Sequence, residues 1–299
     1  MSLLICGSIA LDTVENEHGK VAEALGGSAT YTSIAASYLC DHIAIVGVVG
    51  EDFPQEYIEL LEKRNVDVTG VETAKGKTFR WCARYDDLSE AITLDTQLNV
   101  FEEFSPKIPK KFEGAEYIYL GNIDPSLQKE VLQKMNNTAL IGADTMNLWI
   151  ETKNKELKEL LPQIDVLFIN NDELKMLTEE KNLLKAANIA VEMGPKFVVV
   201  KQGEFGAFIY SKNMLFFTPI FPTTIVKDTT GAGDCFAGGF MGYLSSVGKT
   251  DEKSMKKALI YGTILSSYNI EDFSIKKVCK ISKEDIQKRY EKLKIFTQF

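Results

Sequence analysis

Short runs of apolar and β-branched residues recur at 3–9, 43–49, 117–120, 139–141, 166–169 and 197–200, with amphipathic stretches between them. A strand of this kind has no polar face, so both of its sides must be covered, and helices between the strands are what can cover them. Candidate helices span 29–39, 55–64, 125–135, 154–161, 172–177 and 182–193. Each stands where a right-handed βαβ unit needs its crossover. The pattern predicts an α/β chain folded as a three-layer α/β/α sandwich around a mostly parallel central sheet. With 299 residues, 45% hydrophobic and 25% charged, the chain has the length and composition to build it as one domain over 1–299.

Two segments break the rhythm, 12–25 and 78–99. In the second, Phe79, Trp81, Ala83 and Tyr85 alternate with other residues as half-exposed strands do. Together the segments read as a small β-sheet that projects from the main body and acts as a lid; the same sheet could serve as an edge hairpin or join two chains in a homodimer. Residues 105–109 (SPKIP) read as a short return connection.

A formal net charge of −8 argues against a general nucleic-acid binder, which draws on clustered Lys and Arg. No segment has the length of a membrane span, and residues 1–10 lack the basic start of a signal peptide. Cys6, Cys40, Cys82, Cys235 and Cys279 are odd in number and scattered without metal spacing, as expected for reduced thiols of a cytoplasmic protein. Neither His18 nor His42 sits in a catalytic or metal pattern.

The strongest chemical signal is 227–242, KDTTGAGDCFAGGFMG. Gly231, Ala232 and Gly233 precede an apolar helical run, and small residues at a helix start let free N–H groups meet an anion. Asp234 within that hole would repel a phosphate unless it had work to do there. General-base catalysis of phosphoryl transfer is work that fits; a simple helix cap is the bland alternative. Other glycine motifs fail: GxGxxG would need Gly at Phe236, and neither GxxxxGK[ST] nor GxSxG occurs.

With DTTGAGDCFAGGF the chain resembles the PfkB carbohydrate kinase family, which includes ribokinase, fructokinase and adenosine kinase. ALGGSATYTSIAAS, VGVVGEDF, NNDE at 170–173 and KQGEFGA at 201–207 follow the family's order, so the resemblance covers nearly the whole chain. It implies a ribokinase-like fold and transfer of the γ-phosphoryl group of ATP to a hydroxyl of a sugar or nucleoside. Asp234 would be the base and the Gly231, Ala232 and Gly233 amides the anion hole. Asn170 and Glu173 would organise phosphates and Mg²⁺, Glu173 through water. Lys201, Gly203, Gly206 and Asn269 would lie on the nucleotide side, and Asp228 and Thr230 would hold a monovalent cation such as K⁺. Asp12, Gly26, Gly27, Tyr31, Asp144 and Asn147 would line the acceptor side. A regulatory protein that binds nucleotide or sugar on this fold without turnover is the alternative class.

The chain departs from the family pattern at two points. Tyr31 stands where ribokinase-like members carry an Asn, which suggests a ring available for stacking. The stretch DTMNLWI lacks the Arg of the DxNxR form and has Trp149 nearby. Both changes tell against a simple pentose or hexose and leave room for a nucleoside. Glu15, Glu17, Glu23, Asp86, Asp87 and Glu90 make the lid acidic and a phosphorylated acceptor less attractive, while Lys20, Arg80 and Arg84 keep it open.

Overall fold

The structure is a computed structural model that describes residues 1–87 and 91–298; Glu90 of the acidic set lies outside the described residues. Its strands are β1 (Leu3–Cys6), β2 (Ala10–Asn16), β3 (Gly19–Gly26), β4 (Ile43–Gly50), β5 (Val66–Ala74), β6 (Phe79–Arg84), β7 (Ile92–Gln97), β8 (Tyr117–Leu120), β9 (Leu140–Asp144), β10 (Val166–Asn170), β11 (Phe197–Lys201), β12 (Ala207–Ser211) and β13 (Met214–Thr218). The helices are α1 (Ser28–Ala36), α2 (Gln55–Glu62), α3 (Pro125–Gln133), α4 (Asn147–Thr152), α5 (Asn154–Leu160), α6 (Asn171–Thr178), α7 (Leu183–Glu192), α8 (Ala232–Val247), α9 (Glu252–Asn269) and α10 (Lys283–Phe296).

The main sheet has the order β13-β12-β11-β10-β9-β8-β1-β4-β5. From β11 to β5 every pairing is parallel, and the β11-β12-β13 edge is antiparallel. Alternate residues of β1 enter opposite layers: Leu3 and Ile5 join the core beneath α1 and α8, and Leu4 and Cys6 join the core on the other face. That two-sided burial is what the unbroken apolar runs require. Phe168 is fully buried, with its ring edge-on to Tyr119 at 5.7 Å and to Phe240 of α8 at 5.2 Å.

The first apolar run is cut short. β1 stops at Cys6, and the chain leaves the sheet at Gly7 and Ser8, where Ser8 and Ser28 exchange amide-to-hydroxyl hydrogen bonds of 3.1 and 3.0 Å. That reciprocal lock fixes the start of α1 beside the end of β1. A second sheet of order β3-β2-β6-β7 is separate from the first. Its strands fall within 10–26 and 79–97, the two segments that break the sequence rhythm. Among the described residues no helix is long and apolar enough to cross a membrane.

Helices α1, α8 and α9 approach closely through small residues. A Cβ at Gly238 would come 2.3 Å from the Thr32 carbonyl oxygen of α1, and one at Gly239 would come 2.6 Å from that of Tyr261 in α9. These contacts set the depth of α8 against the sheet. Phe168→Ala, which empties the space between β10 and α8, is expected to lower stability by about 3–5 kcal/mol. A fall in the chemical-denaturation midpoint at unchanged slope would report it, and an unchanged midpoint would contradict the packing described.

Candidate functional site

Parallel strands deliver their carboxyl ends to one edge, so residues distant in sequence meet there. Asp144, Asn170 and Lys201 end the neighbouring strands β9, β10 and β11. Lys201 reaches over to Asp144 with Nζ 2.7 Å from Oδ2, their side chains only 19% and 5% exposed. Asp144 is also held by the Tyr119 hydroxyl at 3.2 Å and the Thr145 amide at 2.9 Å. The two residues assigned by sequence to opposite halves of the site, acceptor and nucleotide, are thus one ion pair.

The NNDE stretch caps α6. Asn170 Oδ1 accepts the Asp172 and Glu173 amides, and the Glu173 carboxylate accepts the Asn170 amide at 2.8 Å, a complete capping box. Glu173 nevertheless feels the site. Burial pushes its carboxyl up to about 7, with Lys201 pulling it down and the Asp144 charge pushing it up. Burial alone would lower Lys201, but Asp144 and Glu173 carry it above its ordinary value.

Gly231 precedes α8 in the left-handed region at φ 73°, its Cα flat against the Tyr31 ring, so that a Cβ would stand 2.5 Å from three ring carbons. The Ala232 amide turns back to the Thr229 carbonyl at 3.1 Å. The Gly231, Gly233 and Asp234 amides find no acceptor among the described residues. Such a set at a helix start attracts an anion. It differs from the three amides expected from sequence, since Ala232's is engaged and Asp234's own joins. The Asp234 carboxyl is pushed up to about 7 by burial first and by the Asp144 charge second, against the pull of Lys201.

Asp12 of β2 is 6% exposed and lies under Gly26, where a Cβ would come 1.9 Å from its Oδ2. Only a glycine leaves room for that carboxyl. Burial, then the charges of Asp228 and Asp234, push it up to about 8, while the Gly27 amide pulls it down. Asp12 and Asp234 therefore share one electrostatic pocket although they begin opposite ends of the chain.

Other expected residues fall differently. Tyr31 is 2% exposed beneath Gly231, so the ring supports the helix start instead of lying open for stacking. Asn147 is exposed at the start of α4. Asn269 is fully buried and donates to the Thr230 carbonyl at 2.7 Å, which puts it behind the loop that precedes α8. Gly203 and Gly206 flank the tight turn between β11 and β12. Asp228, 1% exposed, accepts the Thr230 amide at 2.9 Å and the Ser274 amide at 3.1 Å.

Residues that sequence reasoning passed over also converge here. From the small sheet and the strand end beside it, Asn16 donates to the Lys227 carbonyl at 2.7 Å and the Tyr85 hydroxyl meets Thr230 Oγ1 at 3.0 Å. Asn122, just past the end of β8, accepts the Trp149 indole at 2.8 Å. Its place beyond a strand's carboxyl end was the available signal.

The model of the pfkB family carbohydrate kinases matches residues 4–276. Cytidine kinase of Thermococcus kodakarensis is 28% identical over 247 residues, 81% of this chain and 87% of that protein. The nucleoside kinase of Methanocaldococcus jannaschii superposes with a TM-score of 0.75 at 19% identity over 98% of this chain and 99% of that one. Ribokinase from Cryptococcus neoformans var. grubii in complex with ADP superposes with a TM-score of 0.77 at 19% identity over 96% and 99%. At these identities the superpositions establish a ribokinase-like fold.

The raised Asp234 has a consequence for stability. An unfolded Asp ionises near 3.9, so from there up to about 7 the native state keeps a proton that the unfolded chain has released. Stability falls with rising pH across that window and levels above it. Asp234→Asn is therefore expected to melt ~2 °C or more above wild type at pH 8 and together with it near pH 4. Parallel melting curves at all pH values would contradict the burial of this carboxyl.

Proposed function

Because the chain belongs to the pfkB family of carbohydrate kinases, and so is a phosphotransferase with an alcohol acceptor, we propose that it moves the γ-phosphoryl group of ATP onto a hydroxyl of a nucleoside, with Asp234 as general base. The observation that carries the reading is Asp234 itself: a carboxyl near neutrality in pKa, at a helix start whose Gly231, Gly233 and Asp234 amides meet no acceptor among the described residues. The acceptor O–H proton passes to the carboxylate as its oxygen bonds to phosphorus and the bond to the β-phosphate oxygen breaks. Charge on the transferring group is met by the Gly231, Gly233 and Asp234 amides.

Two observations support a neutral acceptor. Asp12, Asp228 and Asp234 face the acceptor end together, and a phosphorylated acceptor would meet their combined field. The basic residues of the small sheet are already paired, Lys20 with Glu15 at 3.1 Å, Arg80 with Glu23 and Asp52 at 2.9 and 2.8 Å, and Arg84 with Asp86 at 2.7 Å. A nucleoside in place of a free sugar is supported by the likeness to cytidine kinase. Buried Tyr31 no longer contributes to that choice.

We read the small sheet as the lid. Asn16 and Tyr85 tie it to the loop before α8, so its closure and the shape of the anion hole are linked. For the divalent cation, the Glu173 and Asp144 carboxylates, which both act on Lys201, would hold a hydrated Mg²⁺ through water. Mg²⁺ held there would neutralise triphosphate charge. For K⁺, buried Asp228 meets no Lys or Arg among the described residues, and Asn269 Oδ1, beside Thr230, is buried without a partner. A buried carboxylate held by two amides but paired with no cation among the described residues, with an orphaned amide oxygen nearby, fits a monovalent cation.

ADP release with ATP, Mg²⁺ and separate pools of nucleosides, free sugars and sugar phosphates tests the reading. Phosphorylation confined to sugar phosphates would overturn the neutral acceptor. Asp234→Asn should fold and lose turnover by roughly 10²-fold or more, and a folded variant of near-normal rate would overturn the base. Since the base must be ionised, kcat/KM should fall as pH drops through about 7. Asp12→Asn should raise the acceptor KM by about tenfold or more with ADP affinity unchanged; equal effects on both ligands would remove Asp12 from the acceptor side.

A further inference from the structure

Lys201 does more in this geometry than flank a nucleotide. Its stem lies along the start of α8: a Cβ at Gly233 would stand 3.1 Å from Nζ and 3.7 and 3.8 Å from Cδ and Cε. The ammonium therefore hangs over the same helix turn whose Gly231, Gly233 and Asp234 amides are free. We propose that the Lys201 ammonium is itself a wall of the phosphoryl-binding hole, in contact with the transferring γ-phosphoryl group, and that Asp144 is the positioning residue that holds it there. The inference rests on the kinase reading of the site.

Three features support it. An ammonium has three donors, and the Asp144 ion pair uses one, leaving two for phosphoryl oxygens. Lys201 is the cation that acts on Asp234, where the hole otherwise offers only the partial charges of amides beside a carboxyl. Asp144 is anchored independently, by the Tyr119 hydroxyl and the Thr145 amide, so it can fix the ammonium without being reoriented by it.

The test measures binding of ADP and of an imido-bridged, non-hydrolysable ATP analogue, each with Mg²⁺, by calorimetry, alongside steady-state turnover. Lys201→Met is expected to weaken the analogue by about tenfold or more, leave ADP within about threefold, and lower kcat by ~10²–10³-fold with the acceptor KM little changed. Lys201→Arg, which keeps the charge, should retain the preference for the analogue, and this second variant decides the matter if Lys201→Met fails to fold. Asp144→Asn should lose less than Lys201→Met, and the double variant no more than Lys201→Met alone.

Equal weakening of ADP and the analogue would overturn the proposal by placing Lys201 on the inner phosphates or in the fold alone. So would a folded Lys201→Met variant with kcat within about threefold of wild type. Failure of the kinase reading looks different: wild-type protein would bind both nucleotides and phosphorylate no acceptor, and the binding comparison would still judge Lys201.

Discussion

The flat contact between Gly231 and the ring of Tyr31 sets where the start of α8 can lie, and the site is built outward from it. A side chain at 231 would lift the helix start off α1 and carry the Gly233 and Asp234 amides with it. Tyr31 is in turn immobilised because α1 is fixed by the Ser8–Ser28 exchange at the end of β1. Sheet, first helix and the start of α8 are thus tied into one unit. Its precision does not depend on a loop, as placement of a reacting group within a fraction of an ångström requires.

Electrostatics then follows from position. Parallel strands put Asp144 and Lys201 at one edge, α8 brings Asp234 to them, and β2 brings Asp12 from the other side. Burial raises Asp12 to about 8 and Glu173 and Asp234 to about 7, which puts all three near neutrality, where on the proposed reading a carboxyl can take and release a proton. Lys201 pulls Glu173 and Asp234 back down, while the Gly27 amide does so for Asp12. The same buried charge is a cost in stability that a purely structural cluster would have no reason to carry.

Much of the layered fold was legible because period and burial coincide: 117–120, 166–169 and 197–200 are strands within a residue of their predicted ends. The β9 run, drawn at 139–141, began one residue early and stopped three short, because Gly142 and Ala143 weaken its apolar signal; its true end is Asp144. Half-polar β5 was missed as an edge strand, and the β12-β13 hairpin was absorbed into the glycine loop before it. In the site, the Asp228–Asp234 run announces itself since its chemistry is local. The Lys201–Asp144 pair does not, because its members are 57 residues apart and meet only when β10 is laid between their strands. Tyr31 misled for the opposite reason: an aromatic at a substrate-side position was read for its face, whereas its neighbour across the fold was a glycine that needed a flat support.

The charge count of the assembled cleft constrains the donor. Asp12, Asp144, Glu173, Asp228 and Asp234 converge on it, and among the described residues Lys201 is the cation that answers Asp144, Glu173 and Asp234. A bare triphosphate would add several negative charges to a site already short of positive ones. Three free amides and one shared ammonium do not offset that alone, since helix-start amides together act as only about half a positive charge. On the proposed reading, a triphosphate accompanied by a hydrated divalent cation would bring its own compensation, and Glu173 and Asp144 would hold that cation through water. The shortage of protein cations is thus a selection rule. On the proposed reading it would favour the metal complex of the nucleotide over the free anion, and for the same reason an acceptor that arrives uncharged.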